Sequence, residues 1–183
     1  MKKSFYAENL HKGYSIVFLL SCAGQVELKQ GRPAAGQTGI NLDIILKKLG
    51  LCRSRIVINN ASDKAFFAAK DGRTEAKLVE IISPKNILRL ESELFPDVAI
   101  IVAMGKKAYA AAMALKKLHP ELIVVEGRHP GFSSLNRIKN DCHGNKIAVG
   151  AVDATERRAE VVVAKINGQT NWFSSRLKKN CIA

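Results

Sequence analysis

Three groups of residues in this chain have the types and spacing that chemistry needs. The first is a glycine-rich run, Ala23-Gly24-Gln25 followed by Gly31-Arg32-Pro33-Ala34-Ala35-Gly36-Gln37-Thr38-Gly39. Such a run after an apolar segment lets backbone approach a ligand closely, and its N–H groups can hold phosphate or carbonyl oxygens. The same glycines could instead serve turns alone. The second group is Asn60, at the end of a β-branched segment. Its amide either pairs with a donor and an acceptor on a pyrimidine edge or caps the loop that follows its strand. The third is Arg128-His129-Pro130-Gly131. A loop histidine there is either an ordinary exposed residue or a group that stabilises charge on a departing fragment. His11, His119 and His143 have no such company and read as ordinary side chains.

These groups need a scaffold, and hydropathy patterning supplies one. Short apolar segments at 14–20, 55–59, 98–103 and 122–125 predict four buried strands. Ile40, Ile44, Ile45 and Leu49 share a helical face that ends at Lys47, Lys48 and Gly50. Helices are also expected over 73–82, over 84–95 behind a Ser83-Pro84 start, and over the alanine-rich 106–118. A short strand at 146–149 and a helix from 153, broken near Gly168, complete the pattern, and 24–39 reads as one long loop. Alternating strands and helices predict one α/β domain over residues 1–183, a three-layer sandwich around a central, mainly parallel four-stranded sheet. A site is expected at the carboxyl ends of the strands.

The charge balance narrows the partner. With 29 Lys and Arg against 16 Asp and Glu the net charge is +13, which favours a polyanion because neutralising phosphates releases condensed counterions. Nucleic acid is the natural candidate. No segment has the length of a membrane span and the start has no signal-peptide pattern, so a cytoplasmic protein without a membrane partner is expected. Cys22, Cys52, Cys142 and Cys181 are scattered, and the Cys142-His143 pair has no second pair at ligand spacing, so no metal is expected.

The segments, in their order, resemble the family 4 and 5 uracil-DNA glycosylases. Ala23-Gly24-Gln25-Val26-Glu27, the Gly31 to Gly39 run and Leu42-Asp43 are similar to a first motif of the form PGxxExxxGRPFVGxxGxxLD. Asn60 falls where that family carries a base-reading Asn, and Arg73-Thr74 resembles part of the Asn-Arg-Thr-Pro that follows. Residues 98–105 with Ala108 resemble a strand running into Leu-Gly-x-x-Ala, and Arg128-His129-Pro130-Gly131 resembles a His-Pro-Ser motif. The likeness covers roughly residues 16–137. It implies a monomeric DNA glycosylase that flips out one base and hydrolyses its N-glycosidic bond. Cys22, Ala23, Gly24, Gln25, Ala34 and Asn60 would line the base pocket, with Asn60 reading the base and His129 stabilising it as it leaves. Arg32, Arg73, Arg128 and Arg137 would contact DNA, and Phe132 or Leu135 would enter the duplex in place of the flipped base.

The chain also departs from that pattern. It lacks the paired cysteines of the family's iron–sulfur cluster, so no cluster and no other cofactor is expected. Ser21 and Cys22 stand where an acidic or amide residue is usual, which leaves Asp63, three residues after Asn60, or Glu27 to activate water. Ala34 replaces an aromatic that stacks on uracil, and its neighbour Ala35 is small as well. Unless Phe66 or Phe67 folds in to restore the stack, uracil should be a poor substrate. A bulky modified base, such as the hypermodified cytosine of phage DNA excised in anti-phage defence, is then favoured. Repair of uracil or another deaminated base is the alternative. A rival of another class is a non-catalytic DNA-binding module that keeps the fold.

Overall fold

The computed structural model describes residues 4–169. Its elements are β1 (Ala7–Glu8), β2 (Ile16–Leu20), α1 (Gln25–Gln30), α2 (Gly36–Lys48), β3 (Val57–Asn60), α3 (Ala68–Asp71), α4 (Leu78–Ile81), α5 (Pro84–Leu94), β4 (Ile100–Met104), α6 (Lys106–Leu118), β5 (Ile123–Gly127), α7 (Phe132–Leu135) and α8 (Ala154–Asn167). A 3-10 turn, Arg53–Arg55, precedes β3.

The sheet order is β1-β3-β2-β4-β5. β2 pairs in parallel with both β3 and β4, and β4 pairs in parallel with β5, as continuous β-branched and apolar runs require when helices cover both faces. The expected four parallel strands are thus present, but the sheet has a fifth. β1 lies antiparallel along β3, with Ala7 opposite Asn59 and Glu8 opposite Ile58, so the sheet is mixed. A two-residue strand is too short to leave a period in the sequence.

Successive side chains of β2 point to opposite faces and so build two cores. Ile16, Phe18 and Leu20 join Leu42 and Ile45 of α2 and Ala159 and Val162 of α8. Val17 and Leu19 join Ile87 and Leu90 of α5 and Ala108, Ala111 and Leu115 of α6. The chain leaves β2 through α2 on one face and leaves β4 through α6 on the other. The carboxyl ends of β2 and β4 therefore flank the point where the winding reverses, the usual place for a ligand crevice.

Three local expectations need correction. The 24–39 stretch is not one loop. Glu27, at the third position of α1, accepts the backbone N–H of Gly24, and Gly31 closes that helix in the left-handed conformation at φ 64°. Of 73–82 only Leu78–Ile81 is helical, because Glu80 turns back to the N–H of Lys77 and to Arg73 instead of extending a helix upstream. Residues 146–149 form no strand; Lys146 makes only a single bridge to Asn140. Among the described residues no helix is long and apolar enough to cross a membrane.

Candidate active site

Loops from the ends of β2, β3 and β5 enclose a cavity of about 160 Å³. That is close to the ~150 Å³ of an apolar protein cavity able to hold a benzene ring, so it has room for one six-membered ring. Its wall includes Cys22, Ala23, Gly24, Ala34, Asn60 and His129. Residues from three motifs separated by more than a hundred positions therefore meet in one place. Gln25, by contrast, is exposed on α1 and does not line it.

Asn60 is 1 % exposed. Its Nδ2 donates to the carbonyl of Tyr6 at 3.1 Å, which orients the amide, since an oxygen facing that carbonyl would be repelled. Oδ1 is left as the one buried side-chain polar atom among the described residues without a hydrogen-bond partner. A buried acceptor without a donor costs about 1–3 kcal/mol, and a donor on a ligand in the cavity would remove that cost.

His129 is held from several sides. The Gly131 N–H donates to Nδ1 at 3.0 Å, so Nδ1 is an acceptor and the ring proton sits on Nε2. Burial lowers the pKa of the imidazole, which favours this neutral form. Asn41 of α2 donates to the Pro130 carbonyl at 2.7 Å and anchors the loop to that helix. A Cβ on Gly131 would lie 2.8 Å from Nδ1, and one on Gly105 would lie 3.3 Å from the His129 Cβ, so both positions need glycine for the ring to sit here.

The glycine-rich wall is equally constrained. Glu27 accepts the N–H of Gly24 and the N–H of Ala35, each at 3.0 Å, and so clamps both ends of the loop. Ala34 adopts φ 45° and is buried. Arg53 donates to the Pro33 carbonyl at 2.8 Å, pairs with Glu8 at 2.9 Å and reaches Asp43 at 3.0 Å, tying the loop to β1 and α2. Apart from His129, no aromatic ring lines the cavity among the described residues. Phe66 does not fold in: it packs in the core under α5, with the Arg73 guanidinium 4.5 Å above its ring.

The carboxylates fall differently from expectation. Asp63 is exposed and lines a separate hollow with Ser83, Lys85 and Arg89, so it does not reach the cavity. Glu27 does line the cavity, joined by Thr38 and Thr74 of two matched segments and by Glu75, which no sequence motif marked. Cys22 lines it as a thiol whose pKa burial raises. Thr74 and Glu75 lie in a stretch without regular structure, where no periodicity marks an inward-facing residue.

A second hollow of about 630 Å³ lies alongside, lined by Lys106, Arg128, Phe132, Ser133, Arg137 and Lys165 among others. Arg128 and Arg137 thus lie together, with Arg128 donating to the Ser134 carbonyl at 3.0 Å. Arg32 is exposed between α1 and α2. Arg73 is instead engaged by Glu80 through two bonds of 2.7 Å, which lowers the Glu80 pKa to about 2, so its guanidinium is already paired. Phe132 is 68 % exposed, whereas Leu135 is 2 % exposed and belongs to the core, so only Phe132 could enter a duplex. Phe132→Ala is expected to leave thermal stability unchanged and, if the chain acts on DNA as the resemblance implies, to weaken action on duplex more than on single-stranded DNA. Leu135→Ala is expected to lower stability by about 2–5 kcal/mol. Melting curves and paired activity assays would check both.

Cys22, Cys52 and Cys142 are free thiols, and Cys181 lies outside the described residues. No known family model matches the chain, and no curated protein matches it either.

Proposed function

We propose that this protein is a DNA glycosylase that takes one extrahelical base into the cavity and hydrolyses its N-glycosidic bond to leave an abasic site. The observation that carries this reading is that Asn60, whose buried Oδ1 has no partner, lines a cavity with room for one ring together with a neutral imidazole. Asn60 would accept a hydrogen bond from a ring N–H or an exocyclic amine. The Nε2–H of His129 would meet the negative charge that grows on the departing base, without having to give up a proton. The adjoining cationic hollow and the exposed Phe132 suit the phosphate backbone and the gap left in the stack.

Two readings of the base follow. Among the described residues no aromatic stacking partner stands beside Ala34, which favours a modified pyrimidine over plain uracil, since such stacking contributes about 1–3 kcal/mol per base. Its ring would fill the cavity, and any bulky substituent would project through the mouth bounded by the exposed Thr74 and Glu75. The volume of about 160 Å³ favours the alternative, a uracil or deaminated pyrimidine of ordinary size.

The test is mass spectrometry of bases released from a panel of DNAs, from uracil-containing duplexes to phage genomes with hypermodified cytosine, with alkaline cleavage reporting abasic sites. Release of a pyrimidine is the expected result. Tight binding with no release from any DNA would instead indicate a DNA-binding module. In either case affinity is expected to drop by about tenfold or more between 50 and 200 mM salt, because several cations of the +13 chain would contact phosphates. A flat salt response in a binding titration would remove DNA as the partner.

A further inference from the structure

One carboxylate, Glu75, lines both hollows. We infer that Glu75 is a catalytic residue, stabilising the sugar cation and taking the proton of the attacking water. This rests on the glycosylase reading.

The base cavity and the cationic hollow share only two lining residues among the described residues, Glu75 and His129. A nucleotide is linked in the order base, sugar, phosphate. With the base in the cavity and the phosphates along the cationic hollow, the C1′–N bond lies where the two hollows meet. Chemistry at that bond needs a hydrogen-bond donor on the base side and negative charge on the sugar side. His129 supplies the first, and Glu75 is placed to supply the second.

The other carboxylates are committed elsewhere. Both oxygens of Glu27 accept backbone N–H groups, and Glu27 does not reach the cationic hollow. Glu126 lines that hollow but not the cavity, and it pairs with Lys165 at 2.9 Å. Asp63 faces another hollow altogether. Lys107, in the first turn of α6, pairs with Oε2 of Glu75, which orients the carboxylate and leaves Oε1 to meet water. Glu75 is exposed in the absence of DNA, so a flipped nucleotide would cover it and strengthen its field on the sugar.

The step balances. The C1′–N bond breaks and its electron pair leaves on the base, whose charge the Nε2–H of His129 meets. A water oxygen adds to C1′ and its proton passes to Oε1 of Glu75. That proton then neutralises the base anion, directly or through solvent, which yields free base and an abasic sugar and restores the carboxylate.

Single-turnover base release by the wild type, Glu75→Gln, Glu75→Ala and Asn60→Ala tests the assignment. Both Glu75 variants should release base about 100-fold more slowly or worse. Their melting temperatures should be unchanged, and their DNA affinity should be equal or higher because a negative charge is gone. Added formate should restore part of the rate to Glu75→Ala, a response that a merely structural role would not produce. Wild-type rates in both Glu75 variants, with Asn60→Ala inactive, would overturn the role of Glu75 and leave the glycosylase reading intact. Slow release that formate does not rescue, or that tracks a loss of DNA affinity, would also overturn it. Absence of release by the wild type from every DNA in the panel would overturn the glycosylase reading, and this inference with it.

Discussion

Asn60→Ala and His129→Ala are each expected to slow base release by about 100-fold or more, in line with the loss of one preorganised polar group at a site of developing charge. DNA affinity should change little, because neither side chain faces the cationic hollow with a charge. For Asn60 the reason is geometric. The Tyr6 carbonyl already holds Nδ2, so under the proposed function the amide would offer a base a single, oriented acceptor, which alanine removes. For His129 the reason is its protonation state. With Nδ1 accepting from Gly131, the neutral ring presents Nε2–H, and protonation of Nδ1 would set two donors against each other. Burial lowers the pKa from its ordinary 6.5, so the rate should be flat at neutral pH and fall with a midpoint below that value. The same depression makes the unfolded chain take up its proton first. Stability linked to His129 is therefore intact above 6.5 and declines as pH drops through 6.5 toward the lower folded value. Rapid-quench rates across pH, with a binding titration of each variant, check these expectations; wild-type rates in both variants would remove the assigned roles.

Gly39→Ala is expected to be the most damaging single methyl that could be added near the site. A Cβ at this position would lie 2.0 Å from the Ala34 carbonyl oxygen and 2.9 Å from its carbon, contacts with backbone that no rotamer change relieves. The 33–35 segment cannot retreat freely, because Arg53 holds the Pro33 carbonyl and Glu27 holds the Ala35 N–H. A stability loss of about 3 kcal/mol is expected. That corresponds to a fall of roughly 6–12 °C in melting temperature for a chain of this size, together with loss of the cavity wall. Gly144→Ala is the control. Its φ of 85° imposes about 1–2 kcal/mol of strain, but its Cβ would meet no atom within 4 Å and it does not line the cavity, so activity should persist. Equal melting temperatures for Gly39→Ala and the wild type would show that the loop yields more easily than its contacts imply.

Much of the scaffold was legible because its signals are local. Residues 106–118 read as a helix and form one, as α6. The apolar run ending at Leu20 forms β2, and the Ser83-Pro84 start opens α5. The failures were of range as well as pattern. β1 exists only because β3 offers it an edge, and α1 hides in a glycine-rich run whose helix is stabilised by the return of Glu27 to Gly24. Glycine has low helix propensity, and the cap that offsets it lies in a side chain three residues away.

By itself the sequence determined the alternation of strands and helices, the positive charge, and the positions of Asn60 and His129 at the ends of two strands. Those properties follow from side-chain period and composition, which each segment carries alone. Only the tertiary structure decided which side chains share the cavity. It placed Glu75 beside His129 and turned Asp63 away, although both lie in the stretch after Asn60. It exposed Phe132 and buried Leu135 three residues later, and it paired Arg73 with Glu80. The physical reason is that these loops have no period of their own. Their side chains face where packing of α2, α6 and the strand ends leaves room, and that is set by contacts between residues far apart in the chain.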